Sequence, residues 1–480
     1  MMPEPAAQSR GLFRRRRFIQ LAIASGLLTS LTTSCRQTAQ SPTDGVAPDT
    51  DQPFDWRRFA GAEISLLLND HPWTTGLLRY LPDFEALTGI NPKIRVVAEP
   101  EYFTEMEAVL RADPRATGAT GATDAFFLPM DSTAYRLWSD DLLLPLTPLL
   151  NDPALTAADY NLFDFPEGFR LAAMYPPEED NQQLFGIPAT FEAYILFYNK
   201  RLVDQALAGQ VPRTMAELVQ AAQQINEGGQ AMGMVMRGIS SDAIIDTVSG
   251  IVLNGWGAEP TPLPFNLWFD GDWQTPRLND PRIVEGLTTY AQLMQAGPPN
   301  IKQMDWPEAT QLFQAGKAAF YIDASLFGPD FENQETAAIA GQVGYTLLPR
   351  VHAQSLTGHW LWGLGIPQRS AQPEAAWLFI QWATSPAMEA KIAVATGGAP
   401  RFSTWLTPSV YTEAVNIDYA LAVQTAMQTS RPTAVLHPRW NQVALAIAAT
   451  IHQIYDGVDP TLAADQLQQT VVQLMAEDRP

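Results

Sequence analysis

Residues 184–200 read Leu-Phe-Gly-Ile-Pro-Ala-Thr-Phe-Glu-Ala-Tyr-Ile-Leu-Phe-Tyr-Asn-Lys, and they constrain the fold more than any other stretch. The segment is a buried strand, entered through Gly186 and Pro188 and closed by Tyr198-Asn199-Lys200. One carboxylate, Glu192, interrupts it. A charge inside an apolar run is expensive unless it meets a partner or a ligand, so this strand is expected to pass a polar site. About twelve residues on, Pro212-Arg213-Thr214-Met215-Ala216-Glu217-Leu218 marks a helix start. Thr214 is the N-cap, and Glu217 three residues later completes a capping box.

A chain of 480 residues exceeds one compact core, which predicts two lobes. Its 46% hydrophobic and 17% charged residues describe a globular protein. Strand and helix patterns alternate on both sides of 184–200. Glu63 to Leu68 is a strand ending at Asn69-Asp70-His71-Pro72-Trp73, and an amphipathic helix follows through Leu77 and Leu87 to Gly89. Further strands fall at Ile94 to Ala98 and Asp124 to Leu128, the latter ending at Pro129-Met130-Asp131. Past residue 200 come strands at Met232 to Arg237, Gly316 to Asp323 and Trp360 to Ile366. Helices are predicted at Asp242 to Leu253, from Asp280-Pro281, and at Trp306 to Gln314, Pro373 to Ala383 and Asn441 to Tyr455. Such alternation means βαβ units and mostly parallel sheets. Ligands then lie beyond the carboxyl ends of the strands, where 69–73 and 129–132 fall.

The head of the chain is different. Arg14 to Arg17 precede an apolar run, Phe18 to Leu31, that is too short and too abruptly polar afterwards to span a membrane. It reads as an export signal. Arg15-Arg16-Arg17-Phe18-Ile19-Gln20 resembles a twin-arginine signal, with the ordinary unfolded-chain route also open. Cys35 is the only cysteine, so no internal disulfide is available. Behind Thr33 and Ser34 it fits a lipobox, although Thr32 departs from the usual leucine. The expected segments are a signal peptide at 1–34 and a lipid-anchored flexible linker at 35–58. Net charge is −21, and a cut after Ser34 leaves 25 basic against 50 acidic residues. A surface this acidic repels phosphate backbones, which argues against nucleic-acid binding.

The order Gly-Ile-Pro, acidic residue, Tyr-Asn-Lys, then Pro-x-Thr-x-x-Glu-Leu resembles the extracellular solute-binding proteins (family 1) of ABC sugar and polyol importers, of the maltose-binding type. Further landmarks of that resemblance are the Phe313 to Ala319 segment with Gly316-Lys317, the Trp362-Gly363-Leu364-Gly365-Ile366 strand and Glu374-Ala375-Ala376-Trp377. Asp70-His71-Pro72-Trp73-Thr74 and Tyr321-Ile322-Asp323-Ala324-Ser325 look like the subgroup that takes sugars and polyols. The resemblance implies an α/β, two-lobed periplasmic-binding-protein fold of type II. Two mostly parallel sheets would be flanked by helices, with three hinge crossovers near 190, 323 and 385. The N-terminal lobe would comprise 59–190 and 324–385, and the C-terminal lobe 191–323 and 386–480. It further implies a non-catalytic receptor that captures a neutral sugar, oligosaccharide or polyol and delivers it to an ABC permease. Such a receptor is a monomer without cofactor or metal, held by its N-terminal lipid at the outer face of the cytoplasmic membrane.

Sugars are gripped by flat aromatic rings under their C–H faces and by charged or amide groups on their hydroxyls. The ring candidates are Trp73, Trp256 in a glycine-bounded loop, Trp440 before the last long helix, and Trp360 with Trp362. The last two alternate along a strand and so share a face. Core packing competes for every one of them. Among polar groups Asp131 and Glu192 lead, followed by Asp70, His71, Arg237, Asp323 and Arg401, the last placed at the cleft by the resemblance. Helix capping is the plain alternative for Asp131 and His71. Enzymatic motifs are missing: no Gly-x-Ser-x-Gly, no His-Glu-x-x-His, and no upstream glycine of a phosphate loop before Gly316-Lys317. A glycosidase needs two carboxylates across its scissile bond, which Asp131, Glu192 and Asp323 would supply. An exported carbohydrate hydrolase is therefore the alternative reading, and a ligand-sensing lipoprotein the third.

Overall fold

The computed structural model describes residues 53–112, 123–177, 181–256, 267–270, 275–351, 355–406, 416–433, 436–437 and 439–476. The expected signal at 1–34, Cys35 and the linker up to residue 52 lie outside them.

Strands β1 (Glu63–Asn69), β2 (Asn91–Val97) and β3 (Ala125–Pro129) pair in parallel with β1 in the middle. A short hairpin, β4 (Met174–Tyr175) with β5 (Gln183–Leu184), leads into β6 (Ile187–Asn199). Beyond it follow β7 (Met232–Val235), β8 (Ala318–Ala324), β9 (Val343–Thr346), β10 (Gly358–Gly365) and β11 (Arg431–Pro432). The spine is β6, whose 13 residues are all buried except half-buried Tyr198. An apolar run this long needs cover on both faces, which flanking helices provide.

β6 changes partners half-way. Ile187 to Ala193 pair antiparallel with β10, beyond which lie β3, β1 and β2. Tyr194 to Asn199 pair with β8 and β9, and β8 carries β7 in parallel. One strand thus belongs to two sheets, and the exchange falls next to Glu192. Parallel pairing holds for β1–β2, β1–β3, β7–β8 and β10–β11, whereas the antiparallel pairs of this curled sheet all involve β6 or β10. Because β9 pairs with the second half of β6 and β10 with the first, the chain passes between sheets again between 346 and 358. The β6–β10 register shifts between Trp362 and Gly363. A Cβ on Gly363 would sit 2.5 Å from the Met130 sulfur and 2.6 Å from the Ile187 carbonyl oxygen, so only glycine lets these chains close up.

Helix starts follow the sequence. Thr214 Oγ1 accepts from the Glu217 amide at 3.2 Å, and the Glu217 carboxylate accepts from the Thr214 amide at 3.1 Å. Asp280 caps Pro281–Gln295 through the Arg282 amide at 2.9 Å. The single helix expected from Trp73 towards Gly89 is instead two, Pro72–Leu78 and Leu81–Thr88. Pro82 is tolerated in a first turn but cannot continue a helix from behind. Gly89 ends the second with φ of 71°, the left-handed value that helix ends favour. The short strands β4, β5, β9 and β11 were not expected.

Candidate functional site

The strand ends deliver polar groups towards the middle of β6. Past β1, His71 caps Pro72–Leu78, and its Nδ1 accepts from the Trp73 amide at 3.1 Å. Nε2 of the neutral ring therefore carries the hydrogen and donates to Glu192 Oε1 at 3.0 Å. Both residues are buried, and this pairing answers the question of what the carboxylate inside the apolar strand meets.

The second sheet contributes a denser network. Arg237, two residues past β7, meets Asp323 in fork-to-fork fashion, Nε to Oδ2 at 3.0 Å and Nη2 to Oδ1 at 2.8 Å. Its Nη1 donates to Asp246 Oδ2 at 2.9 Å and to the Ala243 carbonyl at 3.2 Å. Asp323 Oδ1 also accepts from the Ala324 amide at 2.7 Å. Burial pushes the Asp246 carboxyl up to about 7 against the pull of Arg237. Half-buried Glu99 is raised by burial too, opposed by His71 and Arg237 and reinforced by Glu192 and Asp305. Charges from both sheets therefore feel one another at this place. Asp131 caps Ser132–Ser139 through the Thr133 amide at 2.8 Å, and burial raises its carboxyl to about 6.

Of the expected rings, Trp360 is half-buried and meets Trp362 edge-on at 5.9 Å, while its register partner on β6 is Glu192. Trp362 and Trp73 are core: both are buried and stack on Phe127, at 4.7 and 5.1 Å. Asp70 is exposed, and its amide donates to the Val97 carbonyl at 2.7 Å.

Three candidates are not brought to this cluster. Trp256 lies beyond the far end of Ile244–Asn254, whose first turn holds Asp246, so about 15 Å of helix separates them. There it is held between Arg282 at 3.4 Å and Arg277 at 4.1 Å. Trp440 opens Trp440–Tyr455 against Trp268 at 6.5 Å, whereas His452, near the other end, meets the Gly238 carbonyl at 2.6 Å. Arg401 is fully buried, with Nε on the Thr384 carbonyl at 2.6 Å, Nη1 on the Asn161 carbonyl at 2.7 Å and the Phe165 ring 3.9 Å away. It ties the 160–165 segment to Thr384 at the end of Pro373–Ala383.

Sequence reasoning missed Glu99, Asp246, Asp305 and Tyr194, whose ring lies 5.6 Å from the Arg237 guanidinium. Glu99 and Asp246 stand in first turns, where acidic residues are ordinary, so their pattern carried no separate signal. Among the described residues no group of His, Cys, Asp and Glu is arranged to hold a metal ion.

The profile of the family of bacterial extracellular solute-binding proteins matches residues 72–390. The chain belongs to that family. An erythritol/L-threitol-binding protein of Mycolicibacterium smegmatis is 28% identical over 389 residues, which cover 78% of this chain and 78% of that one. A solute-binding protein of Agrobacterium vitis, solved with bound D-mannitol, superposes with a TM-score of 0.69 at 21% identity over 87% of this chain and 99% of its own. One from Agrobacterium radiobacter, in complex with ribitol, gives 0.70 at 22% identity over 88% and 100%. These solute-binding proteins share the two-lobed α/β fold of type II with this chain.

Proposed function

We propose that this solute-binding protein is the non-catalytic receptor of an ABC importer, capturing a neutral polyol or small sugar between its lobes and presenting it to the permease. The observation that carries the reading is the site on β6, where Glu192 and Trp360 share a face between His71 of the first sheet and the Arg237–Asp323–Asp246 network of the second. Polyols are uncharged and rich in O–H donors, which suits the unspent acceptor capacity of Glu192 beside an Arg237 already engaged by carboxylates. Anionic solutes would meet net repulsion from Glu99, Glu192, Asp246, Asp305 and Asp323. Relatives that bind erythritol or L-threitol, D-mannitol and ribitol support the same class.

The lobes follow the pairing of β6. The first comprises 59–193 and 358–396, joined by β11 through its pairing with β10, the second 194–346 and the rest of the chain from 417 on, with the third crossing near Gly397-Gly398. These limits move 325–346 to the second lobe because β9 pairs there, and 386–396 to the first because that helix packs on Pro72–Leu78. Ligand binding shifts an open–closed equilibrium about these crossings. Export by the 1–34 signal, acylation of Cys35 and a tether at 35–58 complete a monomeric, membrane-held receptor.

A thermal-shift and calorimetry series with erythritol, ribitol, mannitol, maltose, gluconate and inorganic phosphate tests this. A ligand bound only by the folded form raises the melting temperature. Binding of at least one neutral polyol or sugar without product release is the expected result. Shifts with the anions alone would refute it.

A further inference from the structure

The charges of Arg237, Asp323 and Asp246 are spent on one another, so this wall grips a solute only with other groups. Trp306 stands where such a contact would be made. The Met304 carbonyl accepts from the Gly238 and Ile239 amides, both at 2.9 Å, which pins the chain two residues before Trp306 to the residues that follow Arg237. Asp305 then caps Trp306–Gln314, its carboxylate accepting from the Trp306 amide at 2.8 Å. From the other direction Phe327, four residues past Asp323, stacks on the Trp306 ring at 5.5 Å and 21°. The indole is thus fixed from both members of the Arg237–Asp323 pair. Phe327 is buried, whereas Trp306 is half-buried, so one face of the indole is covered and part of the ring stays open. Burial raises the Asp305 carboxyl against the pull of Arg237, and Glu99, on the side of the first sheet, is raised in part by Asp305. This helix start therefore faces the first lobe across the site.

We infer that Trp306 is the second lobe's ring contact for the solute, the counterpart of Trp360 on the first. The inference rests on the receptor reading above and adds a residue and a closing step to it. The C–H faces of a polyol or sugar lie well against an indole, which offers a large apolar area with little conformational freedom to lose. Phe327 behind the ring removes more of that freedom before the solute arrives. Trp360 lies on β10 opposite Glu192, while the helix that begins with Trp306 packs on β7 and β8. The two rings thus belong to different lobes, and a solute touches both only when the lobes are closed. Trp360 holds the solute in the open form as well, but the contact with Trp306 exists in the closed form alone. Its binding free energy therefore shifts the equilibrium towards closure.

Calorimetry with mannitol, ribitol, erythritol and maltose on the wild type, Trp306→Leu and Trp306→Phe tests the contact, with apo melting temperatures and small-angle scattering with and without ligand. Leucine still fills the place on Phe327 but removes the flat ring. We expect Trp306→Leu to bind the preferred solute about three- to tenfold more weakly and to be less compact than the wild type at saturating ligand. Trp306→Phe, which keeps a ring, retains most of the affinity and the compaction. A lowered apo melting temperature in Trp306→Leu, with affinity and compaction as in the wild type, overturns the contact and leaves Trp306 a packing residue. Wild-type binding to none of the four removes the receptor reading and the contact with it. Should Trp306→Leu not fold, tryptophan fluorescence of the wild type and Trp306→Phe decides. The ligand-induced change shrinks in the variant if this ring meets the solute, and an unchanged signal overturns the proposal.

Discussion

The two sheets bring charge to the same place in opposite ways. Glu192 makes one hydrogen bond among the described residues, to His71 Nε2 at 3.0 Å. A carboxylate has about four acceptor positions, so most of its capacity is unspent. Asp323 is fully buried and already serves Arg237 Nε, Arg237 Nη2 and the Ala324 amide, while the rest of Arg237 is taken by Asp246 and the Ala243 carbonyl. The first arrangement can accept a ligand's hydroxyls without losing anything. The second can only hold its shape. On the proposed reading this set of charges divides into a binding wall and a supporting wall.

The largest effect that would break this division belongs to Arg237. Arg237→Ala leaves Asp323 and Asp246 without their cation in a buried setting, and removal of one partner from such a pair costs about 3–5 kcal/mol. A urea titration of the apo protein should show that loss, and wild-type stability would mean the network does not support the fold. Next come the tryptophans. Trp360→Ala should weaken polyol binding about three- to tenfold, the value of an aromatic contact, while the half-buried site limits the loss of stability. Trp440→Phe, changed in a buried contact with Trp268, should alter the melting temperature and leave affinity alone. An affinity loss in Trp440→Phe would return that residue to the binding wall.

The smallest expected effect is on pH dependence. Burial raises the folded Asp131 carboxyl to about 6 from its ordinary 3.8, so the folded chain holds this proton more tightly than the unfolded one. The group's contribution to stability is present below about pH 4 and is lost as pH rises through about 6. Asp131→Asn still caps the helix, so it should flatten the fall in apo melting temperature between about pH 4 and 7. A slope identical to wild type would show that Asp131 titrates normally. Asp246, at about 7, contributes with the same sign over a window that reaches higher.

How much of this was legible in the sequence depended on whether the signal was local. The long apolar strand with one carboxylate, the Thr214–Glu217 capping box and the Asp280-Pro281 helix start are short-range patterns, and all recur in the structure. The Arg237–Asp323 pair spans 86 positions and His71–Glu192 spans 121, so neither partner can be read from its neighbours. β9 and β11, with four and two residues, are too short to show a period of two. The tryptophans mislead for another reason. Composition shows that rings are plentiful, but burial decides which ones a solute can touch, and Trp73, Trp362 and Trp440 are all spent in the core.

The central claim is that Glu192 is a binding group and not a brace, and Glu192→Gln tests it most directly, because glutamine keeps the volume and can still accept from His71. Affinity for the preferred polyol and the apo melting temperature are measured on the same variant. The account predicts binding weakened about tenfold, as a charged acceptor becomes a neutral one, with a melting temperature close to wild type. Unchanged affinity together with a lowered melting temperature would contradict it and leave β6 as a structural strand only.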